Sequence, residues 1–248
     1  MYLTKENIDI PQAQSTEKYL VVPNARYVFD NTLWRFYGPF DGTRYYVGVT
    51  GSPKFSESSA GFATFSADFR QYFGLGDYFS LALRVAGAGS FGPDPQNFFL
   101  GGTDNWINRR FNNGRLPLED PVDFAFMTFE MPLRGWAVSD VRGDKFFIGN
   151  FEFRFPLLTA LVAGPLPILI QGINGALFFD IGGAWYNEFK IKNDYGNGII
   201  KPANLLMSSG IGIRSYFLGL PIKIDIAWRN EYSGWSEPYW LFSLGYDF

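Results

Sequence analysis

Alternation of period two recurs along almost the whole chain and limits what the chain can fold into. In residues 65–73, for example, Phe65 and Phe69 alternate with Ser66 and Asp68. Successive side chains of a β-strand point to opposite faces, so each such segment predicts a strand with two different faces. We therefore expect an all-β protein of about nine strands. The other eight predicted strands lie near residues 26–36, 45–50, 79–86, 147–155, 176–181, 211–217, 222–228 and 239–248.

Composition supports sheet and excludes several chemistries. Aromatic residues make up 19% of the chain and Phe alone occurs 27 times, which favours strands. His is absent, so His-ligated metal sites and mechanisms with His as general base are excluded. We predict no enzyme activity, no cofactor and no metal. The net charge of −3 and the lack of a basic stripe argue against a nucleic-acid partner.

The chemistry of the two strand faces distinguishes a membrane barrel from a soluble sandwich, which would also alternate. One face is nearly all Phe, Leu, Ile and Val, and the other carries small residues and paired charges that suit a wet lumen. Short and long connections take turns, as in outer-membrane barrels. The last strand supports this interpretation, because it would need lipid as a cover. Its apolar face is formed by Trp240, Phe242, Leu244, Tyr246 and Phe248.

The predicted domain organisation is a polar N-terminal extension or loop remnant, residues 1–22, followed by the barrel portion, residues 23–248. A loop of some fifty residues is inserted at about 92–144, and a loop this long is expected to be functional. Bacterial single-chain barrels have even strand numbers, so nine strands predict a fragment. We expect a strongly curved antiparallel sheet that is incomplete without upstream strands, with any periplasmic domain also missing.

Four motifs resemble the C-terminal barrel of the BamA-type superfamily of outer-membrane assembly factors, secretion transporters and surface antigens. FFLGG, ending in Gly101 and Gly102, opens the long loop, and PLRGW lies within it at residues 132–136. GDKFFIGNFEFRFPL and ALFFDIGGAW form the two strands that follow. The spacing between the first two motifs is similar to a bacterial branch whose barrel follows a periplasmic TolB-like propeller.

The resemblance implies a loop that folds back into the barrel. Arg134 matches the Arg of an R-G-aromatic triplet that pairs with acidic residues of the inner wall, and Gly135 and Trp136 complete the triplet, with Trp in place of the usual Tyr or Phe. Asp180 matches the inward acidic residue, and Glu152 faces inward one strand earlier. A bidentate guanidinium–carboxylate contact is an effective anchor for a long loop. We predict that Arg134 pairs with Asp180 or Glu152; a surface turn at residues 134–136 is the alternative.

For function, the resemblance implies a bacterial outer-membrane module that inserts or exports polypeptides. Its partners would be outer-membrane lipid and unfolded outer-membrane or secreted polypeptides. The terminal strand resembles the C-terminal signal by which such barrels are themselves inserted, and a seam between first and last strands would template substrate strands. Two alternatives remain: a passive channel whose long loop plugs the lumen, and an outer-membrane hydrolase, for which we find no nucleophile constellation.

Overall fold

The computed structural model of the chain describes residues 21–35, 38–57, 59–110, 127–130, 132–138, 140–163, 168–194, 200–217 and 220–245. Regular structure in these residues is all strand. No helix among them is long and apolar enough to cross a membrane. The strands are β1 Asn24–Asp30, β2 Leu33–Arg35, β3 Gly38–Ser52, β4 Phe62–Leu75, β5 Phe79–Phe91, β6 Asn97–Leu100, β7 Met127–Glu130, β8 Val141–Gly143, β9 Lys145–Ala163, β10 Ile168–Trp185, β11 Lys192–Asp194, β12 Ile200–Pro202, β13 Leu205–Phe217, β14 Leu220–Arg229 and β15 Tyr239–Leu244.

One large antiparallel sheet contains the nine predicted strands, in the order β1-β3-β4-β5-β9-β10-β13-β14-β15. Neighbours in this order follow one another along the chain once the loop strands are set aside, because antiparallel strands need only short connections. In this sheet the strands β3, β4, β5, β9, β10, β13 and β14 are 10 to 19 residues long, enough to span the hydrocarbon of a bilayer. The prediction of an all-β antiparallel barrel portion is confirmed.

The first predicted strand is interrupted. Of the predicted strand 26–36, residues 26–30 belong to β1 and, after a break at Asn31 and Thr32, residues 33–35 form the short β2, which pairs with the beginning of β3. Opposite the break, Gly42 has φ of +106°, and a Cβ there would lie 2.7 Å from the Asn31 carbonyl oxygen. The sequence GPFDG, residues 38–42, which was expected to be a short turn between the predicted strands 26–36 and 45–50, belongs to β3 instead.

Polarity across the sheet is the reverse of that in a soluble protein. Phe65 and Val85 are 58% and 64% exposed on the outer face, whereas Asp68 and Asp180 are 2% and 0% exposed on the other. We call the face that carries these carboxylates the inner face and the space in front of it the lumen. An apolar outer surface with buried charge behind it is the arrangement expected of a wall in lipid.

Connections differ between the two ends of the sheet. Residues 76–78, 164–167 and 218–219 join strands at one end, the short-turn end, and the connections 53–61, 92–144, 186–204 and 230–238 lie at the other, the long-loop end. Among the described residues no pairing joins β1 to β15, so the sheet is not closed by its own strands.

The long loop has structure of its own. β6 pairs in parallel with β7 and antiparallel with β8. Phe98, Leu100 and Leu133 of the loop pack in one cluster with Ile148 and Leu206 of the wall. The expectation of a wet inner face is therefore wrong near the long-loop end, where the loop supplies an apolar cover.

Candidate functional site

The predicted loop-start glycines hold the arginine motif in place. Gly102 and Leu133 exchange backbone hydrogen bonds of 3.1 and 2.9 Å, and the Gly102 N–H lies 2.9 Å from the Trp136 carbonyl oxygen. Gly101 and Gly102 have φ of +143° and +83°. A Cβ on Gly101 would lie 1.8 Å from the Ala137 carbonyl oxygen, so these turns need glycine.

Arg134 is buried in the lumen against Asp180 of β10. Its Nε donates to Oδ2 at 2.7 Å and its Nη2 to Oδ1 at 2.8 Å, and the backbone N–H of Arg134 donates to Oδ2 at 3.1 Å. The guanidinium carbon lies 3.6 Å from the centre of the Phe178 ring. At this distance the face of the ring attracts the cation. The contact is bidentate, so it fixes the orientation of the arginine as well as its position.

Glu152 of β9 is fully buried and lies at the centre of the ionic cluster. Its Oε2 accepts from Arg134 Nη1 at 2.7 Å and lies 3.4 Å from Arg214 Nη2, while its Oε1 accepts from Arg154 Nε at 2.7 Å. Arg214 also donates to Asp225 at 2.7 Å. The structure therefore brings Arg134 together with both predicted partners at once.

Burial makes this cluster depend on complete pairing. Burial alone would lower the pKa of Arg134, but the charges of Asp180 and Glu152 outweigh it, so the pKa lies above its ordinary value. Removing one partner from a buried pair leaves an uncompensated charge, which costs more than the intact pair gains. The cluster therefore joins Arg134 of the long loop to β9 and β10 through charges that each require a partner.

The other two residues of the triplet fit the wall closely. Gly135 has φ of +87°, and a Cβ there would lie 3.1 Å from the Ala227 Cβ. Trp136 is buried in the loop cluster, and its indole N–H donates to the Met207 carbonyl oxygen at 3.2 Å. Trp at the third position thus fills space and satisfies its one polar group.

Sequence reasoning missed several members of the site. Asn150 donates from Nδ2 to the Pro132 carbonyl oxygen at 2.8 Å and to Asp180 Oδ1 at 2.9 Å, so it links loop and wall. Arg154 was expected only as a same-face pair with Glu152 that lines the lumen, and Arg214 only as a charge on the inner face of its strand. The pairing register sets Arg214 opposite Lys223, two residues from Asp225 along β14, and this register is not contained in a single sequence.

A second ionic cluster on β4 and β5 was also missed. Asp68 accepts from Arg70 at 2.8 and 2.9 Å and from Arg84 at 2.9 Å. Glu130 of β7 lies near it; burial, together with Asp68, raises the pKa of Glu130 to about 7 despite the opposing charge of Arg84. In the described part of the chain no three His, Cys, Asp or Glu residues group as metal ligands.

The residues of the predicted C-terminal signal are only partly described. Trp240, Phe242 and Leu244 project from the outer face of β15 and are 38 to 50% exposed. Tyr246 and Phe248 lie outside the described residues.

A curved antiparallel sheet with an apolar outer face and an ionic, loop-filled lumen defines an outer-membrane β-barrel protein. The chain belongs to the Omp85 superfamily, whose domain matches residues 28–248. It is thus a protein of the bacterial outer membrane. The resemblance found in the sequence motifs is confirmed.

Comparison with solved structures agrees in fold. The chain is similar to BamA from Haemophilus ducreyi lacking POTRA domains 1–3, with a TM-score of 0.55 and 12% sequence identity. The similarity covers 90% of this chain and 42% of that chain, so the chain spans less than half the length of this structural relative. No curated protein sequence matches the chain.

Proposed function

We propose that this chain is the barrel part of an outer-membrane module that inserts or exports polypeptides, with its long loop folded into the lumen and anchored by Arg134. Membership of the Omp85 superfamily supports the general role. The observation that carries the finer proposal is the contact of Arg134 with Asp180 and Glu152, which joins the loop to two wall strands.

Anchoring by Arg134 explains how a loop of this length can keep a defined position in the lumen. A free loop samples many conformations, and a buried bidentate ion pair reduces them to one. The fastened loop fills the long-loop end of the lumen with apolar side chains, so a polypeptide would be handled at strand edges instead of through an open pore. The chemistry is exchange of backbone hydrogen bonds, with no covalent step.

The same proposal assigns residues 23–248 to the barrel and residues 1–22 to an extension. Further strands, and a periplasmic domain that receives the substrate, would complete the working protein. The outer edge of β1, which pairs with no other strand among the described residues, supports this, because backbone polar groups cannot remain unsatisfied in hydrocarbon. Outer-membrane lipid and unfolded outer-membrane or secreted polypeptides are the proposed partners.

A passive channel plugged by the loop is the second candidate. It is favoured by the charges on the inner face, where Arg214, Lys223 and Asp225 would select ions. The two candidates differ in what release of the loop does: a channel should conduct more, whereas an assembly module should lose activity.

The test compares Arg134→Ala, Arg134→Lys and wild type reconstituted in phospholipid vesicles. Insertion of an unfolded outer-membrane polypeptide and ion conductance are measured on the same vesicles. We expect Arg134→Ala to lower insertion at least tenfold, and Arg134→Lys to retain part of it because Lys keeps the charge but loses the bidentate geometry. The matched control is Lys190→Ala, which removes an exposed ion pair with Glu188. Raised conductance with no insertion by wild type would favour the channel.

A further inference from the structure

The outer edge of the last strand is already occupied. β15 pairs with β14 along one side over six residues, from Tyr239 opposite Ala227 to Leu244 opposite Ile222. Alternate backbone groups of an antiparallel strand point to its other side. On β15 these belong to Trp240, Phe242 and Leu244, whose side chains are exposed on the outer face. Such an edge in a bilayer needs a partner.

The partner is a short segment near the start of the long loop, residues 105–108. The Ile107 N–H donates to the Phe242 carbonyl oxygen at 2.8 Å, and the Leu244 N–H donates to the Asn105 carbonyl oxygen at 3.3 Å. These bonds flank an antiparallel bridge between Trp106 and Ser243. The segment therefore pairs with β15 as a neighbouring strand would.

Asn108 completes the pairing with its side chain. Its Oδ1 accepts from the Phe242 N–H at 2.9 Å, and its Nδ2 donates to the Trp240 carbonyl oxygen at 3.0 Å. The same Oδ1 accepts from the Trp106 indole N–H at 2.6 Å. Four backbone groups of the β15 edge are thus satisfied by three residues of the loop, Asn105, Ile107 and Asn108.

Segment 105–108 also alternates as a wall strand does. Trp106 is buried towards the lumen, where it packs with Val138, Phe178 and Leu241. The next residue, Ile107, is 63% exposed on the outer side. The apolar side chain therefore extends the lipid-facing surface beyond β15.

The segment is attached to the arginine site. A Cβ on Gly102 would lie 2.8 Å from the Trp106 ring, so the ring rests directly on this glycine. Gly102 in turn exchanges backbone hydrogen bonds with Leu133, the neighbour of Arg134. Position of the segment and anchoring of the loop are therefore mechanically linked.

We propose that segment 105–108 is an internal edge cap, which holds the pairing edge of β15 until an antiparallel strand of a substrate polypeptide replaces it. The inference rests on the proposed function and adds how access of the substrate to β15 is regulated. Replacement is favourable because the cap forms one bridge and two side-chain bonds, whereas a full strand would pair along the whole of β15. The expected substrate segment is extended, with apolar side chains at alternate positions to continue the outer face.

Locking the cap tests whether it is present. The chain has no Cys, so Ile107→Cys with Phe242→Cys introduces the only two thiols. The bridge between Trp106 and Ser243 sets these two positions opposite each other, and opposed residues of antiparallel strands have Cα atoms about 4.5–5.5 Å apart, a separation that a disulfide can bridge. We expect near-complete oxidation in vesicles. The control pair Ile107→Cys with Phe151→Cys, on β9, should remain reduced. Failure of the first pair to oxidise would overturn the cap.

Locking also tests exchange. A photoreactive residue at Trp240 reports capture of an unfolded outer-membrane polypeptide, with the Ile107–Phe242 pair oxidised or reduced. We expect at least tenfold less crosslinking in the oxidised state and full recovery on reduction. Equal crosslinking in both states would overturn the cap but leave the proposed function standing. A formed disulfide with no crosslinking in either state would contradict the proposed function, and the exchange step with it.

Discussion

Glu152 is the residue on which most of the lumen's charge pairing depends. It receives guanidinium groups from Arg134, Arg154 and Arg214, and it is fully buried. Without Glu152, the three guanidinium groups would lose a carboxylate that they share in a buried site. A buried pair that loses one partner is strongly destabilised, whereas an exposed pair contributes little.

We expect Glu152→Gln to lower the free energy of unfolding by about 3–5 kcal/mol, measured by denaturant titration in detergent micelles. Glu231→Gln is the matched control, because Glu231 pairs with Arg229 at 3.2 Å and is 45% exposed. That substitution should cost about 0–1 kcal/mol. Similar losses for the two variants would show that the buried cluster contributes no more than a surface pair.

Glu130 gives the loop a dependence on pH. Its pKa is raised to about 7 by burial, by Asp68 and by Asp104, against Arg84 and Arg70. The folded state therefore keeps a proton that the unfolded state loses above about pH 4.5, and the stabilising effect present below that pH is lost as pH rises towards 7. Above pH 7 both states are ionised and no further change is expected from this group.

Glu130→Gln should remove that dependence. We expect the difference in unfolding free energy between the variant and wild type to grow in favour of the variant from about pH 4.5 to about pH 7 and then to level off. Glu57→Gln, at an exposed position of another loop, should follow wild type at every pH. A variant that kept the wild-type slope would contradict the assignment to Glu130.

Among the elements, the hairpin of β2 and the start of β3 folds across the short-turn end of the lumen. The Pro39 carbonyl oxygen accepts from Arg154 Nη1 at 2.8 Å, and Asp41 accepts from the Gly74 N–H at 3.0 Å. Phe40 lies against Gly74, where a Cβ would be 2.4 Å from the ring. Behind the hairpin lies a cavity of about 390 Å³ lined by Ser80 and Arg154. The hairpin is thus held against β4 and β9 at the short-turn end.

Releasing this hairpin should expose the cavity. Ser80→Cys places a single thiol in a chain that has none, at a position 5% exposed. We expect slow reaction with a membrane-impermeant maleimide, and reaction at least fivefold faster after Asp41→Ala, which removes the bond to Gly74. The control is Ser208→Cys. Ser208 is buried beside Gly135 at the long-loop end, so its thiol should react at the same rate with and without Asp41→Ala. Fast labelling of Ser80→Cys without Asp41→Ala would mean that the hairpin does not cover the cavity.

The sequence predicts elements here better than their contacts. Alternation identified all nine wall strands and their faces, since period two is a local property of each strand. Alternation did not reveal β6, β7 and β8. Pairing among these loop strands depends on how the ends of the loop are placed by the wall strands, and a local sequence pattern does not contain that information. The resemblance pointed to Arg134, Asp180 and Glu152, but three guanidiniums around one carboxylate follow from the register of neighbouring strands, which a single sequence does not contain.

For the whole molecule, the distribution of charge and apolar surface determines where it can be stable. The outer face exposes Phe, Val, Leu and Ile on every wall strand from β3 to β15, while the described ionic clusters lie inside. In water this surface would drive association. In a bilayer the outer face is in contact with lipid. The free-energy cost of placing a charge on this face should therefore be largest at the bilayer midplane and small near the interfaces.

Val85→Arg tests this dependence, because Val85 lies near the middle of β5 and is 64% exposed. We expect it to lower the free energy of unfolding in phospholipid vesicles by about 2–4 kcal/mol, since a cation at the bilayer midplane loses its hydration. Tyr78→Arg is the matched control: Tyr78 is 68% exposed in the short turn before β5, and the cost there should be about 0–1 kcal/mol. Equal costs at the two positions would mean that Val85 faces water, and the outer face could then not be the lipid-contacting surface.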